Sequence, residues 1–288
     1  MLSRLAIAAV EATHTWSPRA RARLAAVLGA LLWWLVVPRR RVLLANLRAC
    51  FPKMPEGERR RIGRQCFRNL TRAFIDHGVL ARGSKEEVSR FVRLAGGEHL
   101  HDPANRPLIL LAPHFAGLNA GAVRLSVETQ GVSIYARQRN AEWDRWLHAL
   151  RSRFIPPELI ERSGFDLRAA IRALQRGLPF YYLPDQDYGR RHAIFVPFFG
   201  VPAATIPMVS RLAQMAGAKV VMTVTEMTDD GYVLHLEPPW SDFPSGDLQA
   251  DTLRMNREIE AWVRRLPDQY LWTHKRFKTR PEGAEAIY

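Results

Sequence analysis

The chain has 288 residues, 47% of them hydrophobic, which is enough to bury the core of one large α/β domain or two small ones. Forty-two lysines and arginines against 28 acids give a net charge of +14, a balance that suits an anionic partner such as anionic lipid, nucleic acid or an acidic protein. The two cysteines, Cys50 and Cys66, form no metal-spaced cluster and fit a reducing compartment; no phosphate loop or dinucleotide glycine fingerprint is present.

Residues 1–50 form a basic, apolar N-terminal segment. Within it, Leu24–Val37 is unbroken in its apolar character and contains Trp33-Trp34. Arg19, Arg21 and Arg23 precede it and Arg39-Arg40-Arg41 follow it. As a helix this stretch is about 21 Å long, short against a hydrocarbon core of about 30 Å. The Pro38-Arg39-Arg40-Arg41 sequence replaces the small residues a cleaved signal peptide needs. The stretch therefore reads as an uncleaved helix in the membrane interface, with tryptophans at headgroup level and arginines on anionic lipid. The other reading is a buried core helix. Residues 51–288 read as a single domain. Pro55 opens a helix to about Leu80, with Ile62, Cys66, Phe67, Leu70, Phe74 and Ile75 near helical spacing and Arg59-Arg60-Arg61 and Arg64 on the opposite face. Ser84–Glu87 is a capping-box pattern, and the Phe91–Leu94 run that follows suits a helix or an edge strand. His99–Arg106 reads as a loop.

Strands and helices then alternate. Strands are predicted at Leu108–Ala112, Val132–Ala136, Phe180–Leu183, Lys219–Glu226 and Tyr232–Leu236. Helices are predicted at 117–129, 142–154, 166–176, 205–215 and 248–265. Asp166 can cap the third of these and Gly177 end it. The alternation implies an α/β fold with a largely parallel central sheet flanked by helices.

Two strand ends carry ionisable groups. The first apolar run stops at Pro113-His114, and Asn119 follows five residues later, close enough in sequence to turn back to the imidazole. The Phe180–Leu183 run leads into Asp185 and Asp187. In open α/β sheets ligands bind at the carboxyl ends of strands, and a histidine there can act as a base near neutral pH. His99 and His101 complete no ligand set, so no catalytic metal is expected. The Phe195–Phe199 segment reads as buried, either in the core or lining an apolar groove.

Several segments in order resemble the late acyltransferases of lipid A biosynthesis. They are Asn46–Pro52, His114-Phe-Ala-Gly-Leu-Asn119, Pro184-Asp-Gln-Asp-Tyr-Gly189, Phe195-Val-Pro-Phe-Phe-Gly200, Ala203–Ile206 and Gln269–Gly283, so the resemblance spans roughly Arg40 to Gly283. It implies a glycerolipid-acyltransferase-like fold and a monotopic enzyme, or one with a single N-terminal helix, on the cytoplasmic face of the bacterial inner membrane. Such an enzyme moves a fatty acyl group from acyl carrier protein to a hydroxyl of a lipid A precursor or related glycolipid. No cofactor is implied beyond that donor. The family motif is His-x4-Asp or His-x4-Glu. His114 matches its histidine, and Asn119 stands where the acid would be. Asn119 can accept a hydrogen bond but brings no charge, so the site is a slow but competent one, or is served by Asp185 or Asp187 instead, or is inactive. The resemblance makes Asp185 the loop carboxylate, and Arg151 a binder of phosphate or of the tetrahedral oxyanion. Asp187 and Tyr188 shape the loop beside the substrate. Arg153 is a second candidate contact, or simply a solvated helix end. His274, Lys275 and Arg276, with Lys278 and Arg280, form a basic cluster that would face phosphates of membrane or acceptor. A lipid-binding relative without catalysis and a nucleic-acid-binding protein are the competing readings. The latter lacks aromatics interleaved with its basic runs, so no nucleic-acid partner is expected.

Overall fold

Leu108–Leu111 is buried on both faces because it lies in the middle of a parallel sheet, the environment in which a strand can be apolar at every position. The computed structural model describes residues 2–163 and 166–288. Its helices before the first strand are α1 (Leu2–Ala12), α2 (Pro18–Leu35), α3 (Val37–Cys50), α4 (Glu56–Ile75), α5 (His77–Arg82) and α6 (Lys85–Phe91). Next come β1 (Val92–Ala95), α7 (Gly97–His101), β2 (Leu108–Leu111), α8 (Leu118–Glu128), β3 (Val132–Tyr135), α9 (Ala141–Arg151) and β4 (Glu158–Glu161). The remainder is α10 (Leu167–Gln175), β5 (Phe180–Tyr182), β6 (Ile194–Phe198), β7 (Val201–Thr205), α11 (Met208–Ala216), β8 (Lys219–Met227), β9 (Tyr232–Leu236) and α12 (Leu248–Arg265).

Seven strands form one sheet in the order β1-β9-β8-β2-β5-β3-β4, parallel throughout except at β8–β9. The expected α/β class is what forms. The sequence reading did not include β4, whose Glu-Leu-Ile-Glu is too short and polar to signal a strand, or α7, which falls in the expected loop. Phe195–Phe199 is buried at Val196 and Phe198, as expected of a core segment. It is one arm of a separate antiparallel hairpin, β6–β7, turned by Phe199 and Gly200, both at positive φ. Period-two alternation splits the strand side chains between two apolar layers. Ile109 and Leu111 face α10, α11 and α12, while Leu108 and Leu110 face α5, α6 and α8.

The apolar stretch expected to run unbroken from Leu24 to Val37 breaks at Val36, where α2 ends and α3 departs at 91°. Pro38 lies in the first turn of α3, where its missing N–H costs nothing; inside a continuous helix it would have broken the ladder. No single helix among the described residues is long and apolar enough to cross a membrane; α2 and α3 meet that test only together. Half of α2 is an internal surface. Ala25, Gly29 and Trp33 recur every fourth residue and face α4. A Cβ at Gly29 would sit 2.7 Å from Arg68 Cα, so only glycine allows so close a crossing. Trp33, expected at the headgroups, is 3% exposed and packs edge-on to Phe67. The opposite face leaves Val27, Leu28, Leu31, Leu32, Trp34 and Leu35 exposed.

A buried ionic knot ties this helix to the sheet. Arg21 Nε donates to Asp76 Oδ1 at 2.7 Å, Arg72 Nε lies 3.4 Å from Oδ2, and the Tyr232 hydroxyl of β9 donates to Oδ2 at 2.9 Å. Arg21 and Asp76 are 3% and 1% exposed. Removing the carboxylate strands a buried guanidinium, so Asp76→Ala is expected to cost about 3–5 kcal/mol in urea unfolding. A loss below about 1 kcal/mol would show that the knot does not hold the helix.

Candidate active site

Strand register brings the two leading candidates together. Leu111 of β2 pairs with Tyr182 of β5 in a parallel ladder, and each chain runs three more residues, to His114 and to Asp185. The ladder's offset therefore delivers the imidazole and the carboxylate to the same level of the sheet's carboxyl edge. His114 Nδ1–H donates to Asp185 Oδ1 at 2.7 Å, and the His114 backbone N–H donates to Oδ2 at 3.0 Å. Burial alone would raise the Asp185 carboxyl. Attraction to the His114 ring and hydrogen bonds from the ring and backbone N–H overcome it and hold the group at about 2. Asp185 thus stays anionic and fixes the tautomer, leaving the Nε2 lone pair outward. The Gln186 amide Nε2 caps that lone pair at 3.0 Å, its Oε1 accepting from the Tyr188 hydroxyl. Gln186 went unnoticed in the sequence; its only signal was its place between two acids on a strand-end loop.

Asn119 does not turn back to the imidazole. It occupies the first turn of α8, and its amide instead bridges Arg151 Nη2, which donates to Oδ1 at 3.0 Å, and His77 Nε2, which accepts from Nδ2 at 3.2 Å. The helix begins immediately after Gly117, so a residue in its first turn projects from the helix and not toward the strand end. The helix sits this close because Gly117 and Gly121 lie on Thr225 of β8, where a Cβ at Gly121 would be 2.1 Å from Oγ1. His77, at the start of α5, was also missed; nothing in its local sequence marks it.

The remaining candidates separate into two groups. Tyr188 is exposed, beneath the Arg162 guanidinium. Lys275 is exposed, with Nζ 5.4 Å from the centre of the Tyr288 ring. Arg153 donates to the Leu80 and Gly83 carbonyls at 2.5 and 2.8 Å, so it is neither a free helix end nor turned to the site edge. Asp187 is 3% exposed and accepts from Gly189 N, Thr279 N and the Thr279 hydroxyl. Arg276, expected on a phosphate-facing cluster, is 3% exposed and donates to Ala204 O and Thr205 Oγ1, pinning the β6–β7 hairpin. His274 Nε2 accepts from the Asp187 backbone N–H at 3.2 Å. Burial foremost pushes its ring down to about 4, so it is neutral at pH 7. Residues 269–279 therefore act as a strap: Leu271 N–H donates to His114 O, and Gln269 O accepts from Ala116 N–H.

An apolar cavity opens beside Asn119 and Arg151. Leu118, Ala122 and Leu125 of α8 form one wall, and Ile134, Leu159 and Tyr181 of the sheet form another. Phe195–Phe199 contributes nothing to it; Phe198 packs instead against Tyr270 and Phe277. Among the described residues, no cluster of three His, Cys, Asp or Glu is placed to hold a metal ion.

These features define a class: an α/β enzyme with a carboxylate-oriented imidazole at the carboxyl edge of a mostly parallel sheet, and an apolar cavity whose lining includes Leu183, two residues before Asp185. The sequence model of the bacterial lipid A biosynthesis acyltransferases matches residues 2–279. The chain belongs to that family and is an acyltransferase. It is 33% identical over 273 residues to the lipid A biosynthesis lauroyltransferase of Escherichia coli, spanning 92% of this chain and 88% of the relative. It is 33% identical to a lipid A biosynthesis acyltransferase of Haemophilus influenzae (88% and 83% covered). It is 30% identical to the E. coli lipid A biosynthesis myristoyltransferase (97% and 87% covered).

Asp185→Asn is expected to lower turnover about 10²–10⁴-fold in an acyl-transfer assay, because an amide can offer its own N–H to Nδ1 and so permit the wrong tautomer. An undiminished rate would remove Asp185 from the site. His274 supplies a stability test. Its folded value of about 4 lies below the ordinary histidine value of 6.5, so between pH 6.5 and 4 the unfolded chain takes up a proton that the folded chain refuses. Stability should fall as pH drops through that window. In His274→Gln, which can still accept from Asp187, thermal unfolding should show a shallower fall; identical pH dependence would refute the assignment.

Proposed function

We propose that this enzyme transfers a fatty acyl chain from an acyl carrier protein thioester to a hydroxyl of a lipid A precursor, at the cytoplasmic face of the inner membrane, with His114 as general base. The observation that carries this reading is the His114–Asp185 pair, which holds Nδ1 and leaves Nε2 facing only the Gln186 amide. Substrate names on the relatives supply the acceptor class. In this mechanism the acceptor hydroxyl displaces the Gln186 amide from Nε2 and gives its proton to the ring. The oxygen attacks the thioester carbonyl carbon, and the tetrahedral oxyanion draws on Arg151. Collapse breaks the carbon–sulfur bond, and the ring returns the proton to the departing thiolate. Asp185 stabilises the intervening imidazolium without taking the proton. The acyl chain would lie in the cavity between α8 and the sheet. The acidic carrier would meet a chain of net charge +14.

The exposed face of α2, with Leu31, Trp34 and Leu35 beside Arg39, Arg40 and Arg41, supports attachment in the membrane interface. Two experiments test the reading. Purified enzyme given acyl carrier thioester and lipid A precursor should form product, and His114→Ala should lose it by about 10²-fold or more; full activity in that variant would exclude His114 as base. Leu31→Asp with Leu35→Asp should release the protein from anionic phospholipid vesicles in co-sedimentation, while unchanged sedimentation would exclude α2 as the contact.

A further inference from the structure

Hydrogen-bond polarity around Asn119 is fully determined. Arginine has only donors, so the Asn119 Oδ1 must face Arg151 and its Nδ2 must donate to His77. His77 Nε2 is therefore the acceptor, and its Nδ1–H donates to the Ala73 carbonyl at 2.7 Å. Burial pushes the His77 ring pKa down, which keeps it neutral. Every member of this chain is uncharged except Arg151.

That cation has no ion-pair partner among the described residues. Asp144, whose field reaches it, already accepts from the Tyr135 hydroxyl and from Gln138 N–H. One of the five guanidinium N–H groups is spent on Asn119. Arg151 is also the one charged side chain among the described residues that line the apolar cavity. A half-buried cation with free donors at the rim of an apolar cavity is the complement of a long chain ending in an anion.

We propose that this rim is a carboxylate site: Arg151 binds the head group of a free long-chain fatty acid whose hydrocarbon chain lies in the cavity, so that the free acid competes with the acyl donor. The inference rests on the reading of the cavity as the acyl site. It adds that an uncharged amide at position 119 leaves the Arg151 charge uncompensated and available.

The test compares dodecanoate with dodecanol, which share a chain and differ in charge, by calorimetric titration of the full chain at pH 8 below micellar concentrations. Dodecanoate should bind about tenfold or more tightly than dodecanol, the scale of a hydrogen bond to a charged group. Asn119→Asp, which supplies a resident carboxylate, should collapse that preference while dodecanol binding persists. Arg151→Gln should do the same if the first variant fails to fold. Equal affinity of the wild type for acid and alcohol would overturn the carboxylate site and leave the cavity reading standing. Binding of neither would overturn the cavity reading itself. Full preference for the acid in Asn119→Asp would overturn the role given to the amide.

Discussion

Asp185 grips one residue twice, by its ring and by its backbone N–H, and the architecture around it serves that grip. A carboxylate this buried is tolerable only when both oxygens are engaged by donors. The parallel β2–β5 ladder supplies the alignment, since both chains leave the sheet at the same level. The strap at residues 269–279 supplies the rest. It holds the His114 carbonyl from the other side, while the Gln269 side chain clasps both backbone groups of Met227 on β8. His114 is thus fixed by two segments distant in sequence, the loop after β5 and the strap, and only its Nε2 is left for chemistry.

This division of labour explains what was legible in the sequence. The apolar runs ending in His114 and in the Asp185 loop announced a shared strand-end site, because alternation and termination of apolar runs are local properties. Which acid would serve the imidazole was not local. Asn119 is five residues away and Asp185 seventy-one, and the nearer one is carried off by the start of α8. Gln186 and His77 were silent for the same reason: their partners are set by tertiary packing. Phe195–Phe199 was legible as a buried segment, with Val196 and Phe198 in the interior, but not as one arm of a hairpin, because apolar content alone does not distinguish a core run from a β-arm.

Net charge does not say where each cation sits. A charge of +14 suggests cations displayed outward, yet several arginines are internal fasteners. Arg21 and Arg72 converge on Asp76, and Arg276 pins the β6–β7 hairpin. Arg124 donates to the Val92 carbonyl and pairs with Glu128. Arginine suits such places because its planar fork can satisfy several carbonyls or a carboxylate at once. The basic runs around α2 and α3 are different in kind. They border an exposed apolar face whose opposite side is packed against α4, so one helix is both a structural member and a surface unlike the rest.

The amide at position 119 and the histidine at position 77 are best understood as a matched pair. Between Arg151 and His77, a carboxylate would need a donor on each side, so the buried imidazole would have to carry a second proton while Nδ1–H remains committed to Ala73. An amide meets both neighbours with the ring neutral, because it accepts on one side and donates on the other. Asparagine at this position therefore leaves no group unsatisfied. It leaves the Arg151 charge to be met by whatever anionic atom enters the cavity mouth, and the imidazole of His114, oriented by Asp185, stands outside the exchange.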